Sequence, residues 1–400
     1  MATSQSKTIS PGPGPRLEWL IVGGGMHGTA LSRALLTRGV PARAVRVLDP
    51  WVQPLARWRA CVGAVGMRYL RSPAVHHLDG DPFSLMRHAE RSPHPAPFAP
   101  PYNRPALSLF HEHCAAVIET HGLDRLRLRG RATHLALRGQ GYRVETDQGV
   151  LEARRVVLAL GASEQPHWPR WALRLLTAGA PVHHVFEVGF DRARLAEGAV
   201  IVAGGGISAV QLALALAREG RPVTLWRRHP LRVHTFDSDP GWMGPRYMRA
   251  FEAEGDLDRR RGHLRTARHR GSVPPHLAAA LSRAVEADSV RVLEGVLFGA
   301  RGVDGGVVLE TEAGLAAGAS VVLCTGFAPQ RPGGQWIDDA ILAFGLPCAA
   351  CRYPMVDAAL QWRPNLHVMG PLAELELGPA ARNLIGARRA AERLTPLAAP

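Results

Sequence analysis

Two short Gly-rich turns are where this sequence could do chemistry. The stretch "VGGGMHG" sets Gly23, Gly25 and Gly28 in the order G-x-G-x-x-G, and "AGGGISA" sets Gly204, Gly206 and Ala209 in the same order with Ser208 between them. Each follows an apolar run and precedes a second one of helical character, the context of a turn that holds a pyrophosphate. The first glycine allows the tight turn, the second lets backbone approach the phosphates, and the third lets helix pack on strand. The helix N-terminus then offers free N–H groups and partial positive charge to phosphate oxygens.

The elements that must position these turns are themselves repeated. In the first half the strand "WLIV" leads into a helix ending near Gly39 and a second strand "AVRVLD"; in the second, "AVIVA" leads into a helix ending near Gly220 and "PVTLWRR". Each half closes on a similar strand and turn, "RRVVLALG" at Gly161 and "ASVVLCTGF" at Phe327. This is an internal duplication of architecture. With 400 residues, 46% of them hydrophobic, it predicts an α/β protein of two Rossmann-like dinucleotide-binding domains.

The residues ending the second strands differ in charge. Asp49 stands where a carboxylate accepts hydrogen bonds from a ribose hydroxyl. Arg227 and Arg228 stand at the equivalent place of the second unit with no acid beside them in sequence, and guanidinium forks suit a ribose 2'-phosphate. One site for FAD and one for NADPH satisfies both, with hydride passing from nicotinamide to flavin.

Taken together, these motifs resemble the two-dinucleotide-binding flavoprotein superfamily: the thioredoxin and glutathione reductases, the flavin-containing monooxygenases, and the ornithine and lysine N-hydroxylases of siderophore synthesis. The resemblance covers almost the whole chain after its tail. It implies an NADPH domain inserted into the FAD domain: a disordered tail over 1–15, FAD domain over 16–165 and 325–400, and NADPH domain over 166–324 with a helical insertion at about 229–285. "GGGISAVQ" and the long connection after "TLWRR" are similar to the N-hydroxylases. "TAGAPVHHVF" keeps Gly179 and His183 of the monooxygenase signature F-x-G-x-x-x-H, with Thr177 in place of the phenylalanine.

The same resemblance assigns a flavin wall. Trp58, Met67, Arg68 and Arg71 are its contact candidates in "ARWRACVGAVGMRYLRSP", and Asn103 is a polar candidate nearby. In "MGPLAELELGPAARNLIG" it implies a turn at Gly370 and a helix starting near Gly378 or Pro379, with Arg382 and Asn383 in its first turn facing the flavin. Arg71, Asn103 and His183 are the catalytic candidates. The implied reaction is hydroxylation of an amine nitrogen or a sulfur of a small-molecule substrate by O2 through a C4a-hydroperoxyflavin. It needs no paired carboxylates, so Asp237 and Asp239 read as turn residues.

Other classes fit less well. The net charge of +14 invites nucleic acid, but Lys7 is the only lysine and the arginines are scattered, so no nucleic-acid partner is expected. No apolar run approaches the ~20 residues that span a membrane, and a cytoplasmic protein is expected. Metal is not expected either, since the pairs His76/His77, His111/His113 and His183/His184 lack ligand spacing. The five cysteines form no disulfide framework, and "CAAC" at Cys348 to Cys351 lies where the thioredoxin-type reductases do not carry their redox pair. Two alternatives stay open: an NADPH:acceptor reductase, and a flavin-binding redox sensor or scaffold. A homo-oligomer is open too.

Overall fold

The computed structural model describes residues 17–92 and 94–398. The tail expected over 1–15 lies outside the described residues.

The chain opens with β1 (Leu17–Val22), buried at five of its six positions, then α1 (Met26–Thr37) and β2 (Val45–Asp49). A long excursion follows, through α2 (Ala56–Ala64) and a helix over Leu107–Thr120, before β3 (Arg127–Arg129). A meander over Ala132–Arg138 and Gly141–Thr146 then runs antiparallel into β4 (Gly149–Leu158). The second unit repeats this plan. After β5 (Val182–His184) come β6 (Val200–Ala203), α3 (Ile207–Arg218) and β7 (Val223–Arg227). A second excursion leads to α4 (Pro275–Glu286), β8 (Arg291–Glu294), a three-stranded meander over 297–318, and β9 (Ser320–Leu323). The chain returns to the first unit through β10 (Leu366–Val368) and ends on α5 (Leu384–Leu394).

Two parallel sheets result. In the first, β10, β4, β1, β2 and β3 lie side by side; in the second the order is β8, β7, β6, β9, β5. Strands covered on both faces must be apolar throughout. Accordingly Leu20, Ile21, Val156, Val157 and Leu158 are fully buried in one sheet, and Val200, Ile201, Val202, Val321 and Val322 in the other. Each such side chain contributes about 1.5–3 kcal/mol of burial. Alanines at Ala387, Ala390 and Ala391 of α5 pack in the same core as α1, which lets the last helix lie close along the first.

The units are joined by two connectors that pair with each other. His167 N donates to Gly326 O at 2.9 Å and Ala328 N to Gln165 O at 2.8 Å. The chain therefore leaves and re-enters the first unit at one place, the topology of an inserted domain. The duplication also extends to the meanders, which sequence spacing did not reveal.

The excursions, which follow β2 in the first unit and β7 in the second, meet. Arg71 donates to Thr235 O at 2.9 Å, His234 O at 2.7 Å and Ser272 Oγ at 3.0 Å; Arg104 donates to His276 Nε2 at 2.9 Å. Within the second excursion, helices Pro245–Ala253 and Leu257–Ala267 are clasped by short paired strands at Arg232–Val233 and Ser272–Val273. α4, which the sequence reading grouped with this insertion, packs instead on α3 and leads into β8.

Candidate functional site

The first turn sits where β1 has β4 on one side and β2 on the other, the crevice at which open parallel sheets bind ligands. Gly23 has φ +112° and donates to Leu48 O at 2.8 Å; a Cβ there would stand 2.5 Å from Ala159 O at the end of β4. A Cβ on Gly28 would run into Gly23 O, so α1 packs on the turn only with glycine in that place. A Cβ on Gly25 would meet nothing within 4 Å. The three glycines thus divide: two shape the turn, and the middle one leaves room before the N-terminus of α1. That open cradle fits a pyrophosphate.

Asp49 does more than the spacing predicted. Its Oδ2 accepts from Gly24 N at 2.5 Å, and its Oδ1 from Trp51 N at 3.0 Å and Arg127 Nη2 at 3.1 Å. Three of about four acceptor positions are taken, leaving one for a ribose hydroxyl. Arg127, at the start of β3, also donates to Trp51 O and was not singled out from the sequence. It belongs to no local motif.

The second turn repeats the geometry. Gly204, φ +155°, donates to Trp226 O at 2.9 Å, and a Cβ there would stand 2.6 Å from Cys324 O, as Gly23 stands against Ala159. Gly206 precedes α3, facing Gly271 of the second excursion; Ser208 lies in the first turn and Ala209 is buried. The reading that Arg227 and Arg228 have no acid beside them needs correction. Strand register sets Arg227 opposite Glu294, and the two form an ion pair at 2.9 Å. Arg228 is exposed, without an acid partner among the described residues, and His229 lies beside Gly205 with Arg227.

Trp58 and Met67, expected at the flavin, are both packed within the protein. Trp58 packs on Phe110 and His111, each with ring centroids 5.4 Å away, and Met67 packs against the cores of both units. Gly370 turns with φ +64° against the ring of His27, whose Nε2 bonds Ala381 O at 2.8 Å. Burial pulls the His27 pKa down to about 4 despite that bond, so the ring is neutral and Nε2 carries the proton toward the carbonyl. His27 was missed by the sequence reading, although it sits inside the first Gly-rich turn.

The terminal helix is corrected. Pro379–Arg382 is a single 3-10 turn, and α5 begins at Leu384 with Asn383 capping it through Oδ1 from Gly386 N at 3.2 Å. Arg382 is held by Glu374 through two bonds of 2.7 and 3.0 Å, and Glu374 is also bonded by Arg261. Its charge is therefore matched inside the protein, Glu374 being 1% exposed.

Of the catalytic candidates, Arg71 clamps the second excursion as described, Asn103 is exposed on a left-handed turn, and His183 lies 3.4 Å from Glu187. The structure does not bring these three together by any mutual contact. Asp239 caps a 3-10 turn by accepting from Gly241 N at 2.7 Å, the turn role expected of it. Among the described residues no group of three or more His, Cys, Asp or Glu could hold a metal ion, and no helix is long and apolar enough to cross a membrane.

Comparison with known proteins matches residues 20–163 to the family described as FAD-NAD(P)-binding and residues 111–267 to that described as pyridine nucleotide-disulphide oxidoreductase. No curated protein matches the sequence. Among solved structures, an ornithine hydroxylase from Pseudomonas aeruginosa is 15% identical, with 96% of this chain and 98% of that one aligned at a TM-score of 0.72. The ornithine N-hydroxylase of Kutzneria sp. 744 is 17% identical over 96% and 99% of the two chains, at 0.70. A bacillithiol disulfide reductase from Bacillus cereus is 15% identical over 96% and 98%, at 0.61. The two family matches and the shared fold identify an FAD- and NAD(P)-dependent oxidoreductase with the fold of the two-dinucleotide-binding-domain flavoproteins.

Proposed function

We propose that the chain is an NADPH- and O2-dependent flavin monooxygenase that hydroxylates an amine nitrogen or a sulfur of a small molecule. The observation that carries this reading is the pair of Gly-rich cradles at the ends of two parallel sheets, with two excursions meeting between their units. Support for the N-hydroxylating branch comes from the neighbours: the two ornithine hydroxylases align at TM-scores of 0.70 and 0.72, the disulfide reductase at 0.61 and a flavin-containing monooxygenase at 0.59.

On this reading residues 16–165 and 325–400 carry FAD and 166–324 carry NADPH. Gly23, Gly25 and the α1 N-terminus hold the flavin pyrophosphate, with Asp49 fixing the turn and meeting the ribose. Trp58, Met67 and Gly370 border the ring. Gly204, Gly206, Ser208 and the α3 N-terminus hold the NADPH pyrophosphate, and Arg228, with Arg227 shared with Glu294, faces the 2'-phosphate. FAD, when bound, supplies hydride acceptance and the reaction with O2. The protein's part is to orient and to exclude water, which the Arg71 and Arg104 contacts across the excursions serve.

The test is turnover of a panel of primary amines and thioethers with NADPH under 18O2. A labelled hydroxylated product formed with one NADPH per oxygen atom transferred is expected. Full diversion of NADPH electrons to hydrogen peroxide with every substrate would overturn oxygen transfer.

One observation favours a second reading, reduction of a disulfide. Cys348 and Cys351 are both free thiols near one turn, and burial pushes the Cys348 thiol upward. Cys351, however, packs with Met248, Phe251, Leu264 and Tyr353 as part of a hydrophobic cluster. A Cys348→Ser, Cys351→Ser double variant with intact flavin separates the readings: retained NADPH oxidation supports the monooxygenase, and loss of reduction of a small aromatic disulfide supports the reductase.

A further inference from the structure

A second cavity lies away from both Gly-rich turns. It has a volume of about 400 Å³ and runs between α3, α4 and the segment Gly66–Tyr69. Its α3 wall runs along the helix through Gln211, Leu214, Ala217 and Arg218. At about 1.5 Å per residue, Arg218 is roughly 16 Å along the axis from the phosphate-binding end. Gln211, at the other end of this wall, is about 6 Å along the axis, and no residue of either Gly-rich turn lines the cavity.

Its chemistry is two-sided. Leu214, Ala217, Leu277 and Ala280 give an apolar floor, while Arg68 and Arg218 stand at its edge. Among the described residues the Arg218 guanidinium donates only to Leu214 O, at 2.9 Å, and the neighbouring acid Glu219 is taken by Arg192 at 2.7 Å. Neither Arg68 nor Arg218 has a salt-bridge partner among the described residues. Burial, and then the like charge of Arg68, both work against the charged form of Arg218. Glu219 opposes this from outside the cavity, and an anion between the two arginines would meet both.

A further polar group points the same way. Gln211 is 7% exposed and lines the cavity, so its carboxamide is available to a ligand there. At the far end, His276 accepts from Arg104, so that end offers a neutral imidazole rather than an acid.

We propose that this cavity binds a small amphiphilic anion, its acidic head between Arg68 and Arg218 and its apolar body against Leu214, Ala217, Leu277 and Ala280, with Gln211 as hydrogen-bond partner. The volume falls in the ~300–1,000 Å³ range of small-molecule sites. The proposal stands independently of the reaction proposed above.

Calorimetric titration of the FAD-loaded protein with decanoate, with NADP⁺ present at saturation, tests it. Decyl phosphate is a parallel arm that distinguishes a carboxylate from a phosphate head; decylamine and inorganic phosphate are the controls. Saturable binding of decanoate or decyl phosphate is expected, at least tenfold weaker in Arg218→Ala and in Arg68→Ala. Neither control should bind comparably. Ala280→Trp, which fills the floor and leaves the charges, should weaken binding similarly. Flavin content and melting temperature show that each variant is folded. Absence of binding to the native protein, displacement by NADP⁺, or unchanged affinity in both arginine variants would overturn the proposal.

Discussion

The Arg127 guanidinium meets the Asp49 carboxylate at 3.1 Å, with the two side chains only 6% and 10% exposed. The other oxygen of Asp49 holds Gly24 N at 2.5 Å, so the ion pair fixes the backbone of the first Gly-rich turn. Removing one partner of a buried pair leaves an uncompensated charge, which costs about 3–5 kcal/mol. Arg127→Met should lose stability of that order in urea titration and lose flavin with it. Native stability together with native flavin content in this variant would show that the pair does not hold the turn.

The glycines of that turn separate folding from cofactor binding. Gly28 is pressed against Gly23 O, so Gly28→Ala should destabilise the apoprotein by about 1–3 kcal/mol. Gly25 faces open space, and Gly25→Val should leave apoprotein stability within about 0.5 kcal/mol while cutting flavin occupancy at least tenfold. The check is urea unfolding of flavin-free protein beside flavin absorbance of purified protein. Equal stability losses in both variants would contradict the division.

What the sequence made legible was local. A pyrophosphate cradle needs its glycines at fixed short spacing after one strand and before one helix, so both turns, and the helix stops at Gly39 and Gly220, could be placed from neighbouring residues. What escaped came from distant segments. Asp49 and Arg127 are 78 positions apart, and only the parallel register of β2 with β3 brings them together. Likewise Arg227 seemed free of acids until β7 and β8 aligned it with Glu294. "GPAARN" carries two helix-start signals, Pro379 and Asn383; the Gly-Pro pair starts a 3-10 turn and the Asn starts the helix. A side-chain cap outranks a proline there because it satisfies an amide that proline merely lacks.

That register changes which arginine should matter for the nicotinamide dinucleotide. Arg227 is already shared with Glu294 at 2.9 Å, whereas Arg228 is exposed and carries no such partner among the described residues. A charge-assisted hydrogen bond contributes about 1.5–3 kcal/mol. Arg228→Ser should therefore raise the KM for NADPH roughly tenfold or more and leave that for NADH nearly unchanged. Glu294→Gln should lower the KM for NADPH by releasing Arg227. Steady-state kinetics with both nucleotides decide this, and an unaltered NADPH preference in Arg228→Ser would rule the assignment out.

Acid should destabilise the protein through histidines buried in the neutral form. His184 is fully buried; its Nδ1 accepts from Phe186 N at 3.0 Å, which leaves the Nε2 proton to face Thr325 Oγ1 at 3.2 Å. Burial pulls its pKa down to about 4 from 6.5, and protonating Nδ1 would set two N–H donors against each other. The unfolded chain thus binds the proton first. Stability is intact above about pH 6.5 and is lost as the pH falls toward 4, by about 3 kcal/mol for a depression of this size. His27, His76, His113 and His276 are lowered to about 4 as well, so the acid limb is shared. In His184→Gln the absolute stability will also change, so the informative quantity is the slope of unfolding free energy against pH between 4.5 and 6.5. It should fall by about one proton's worth relative to the parent. An unchanged slope would mean that His184 is not titrating with unfolding, and that the acid sensitivity belongs to other groups.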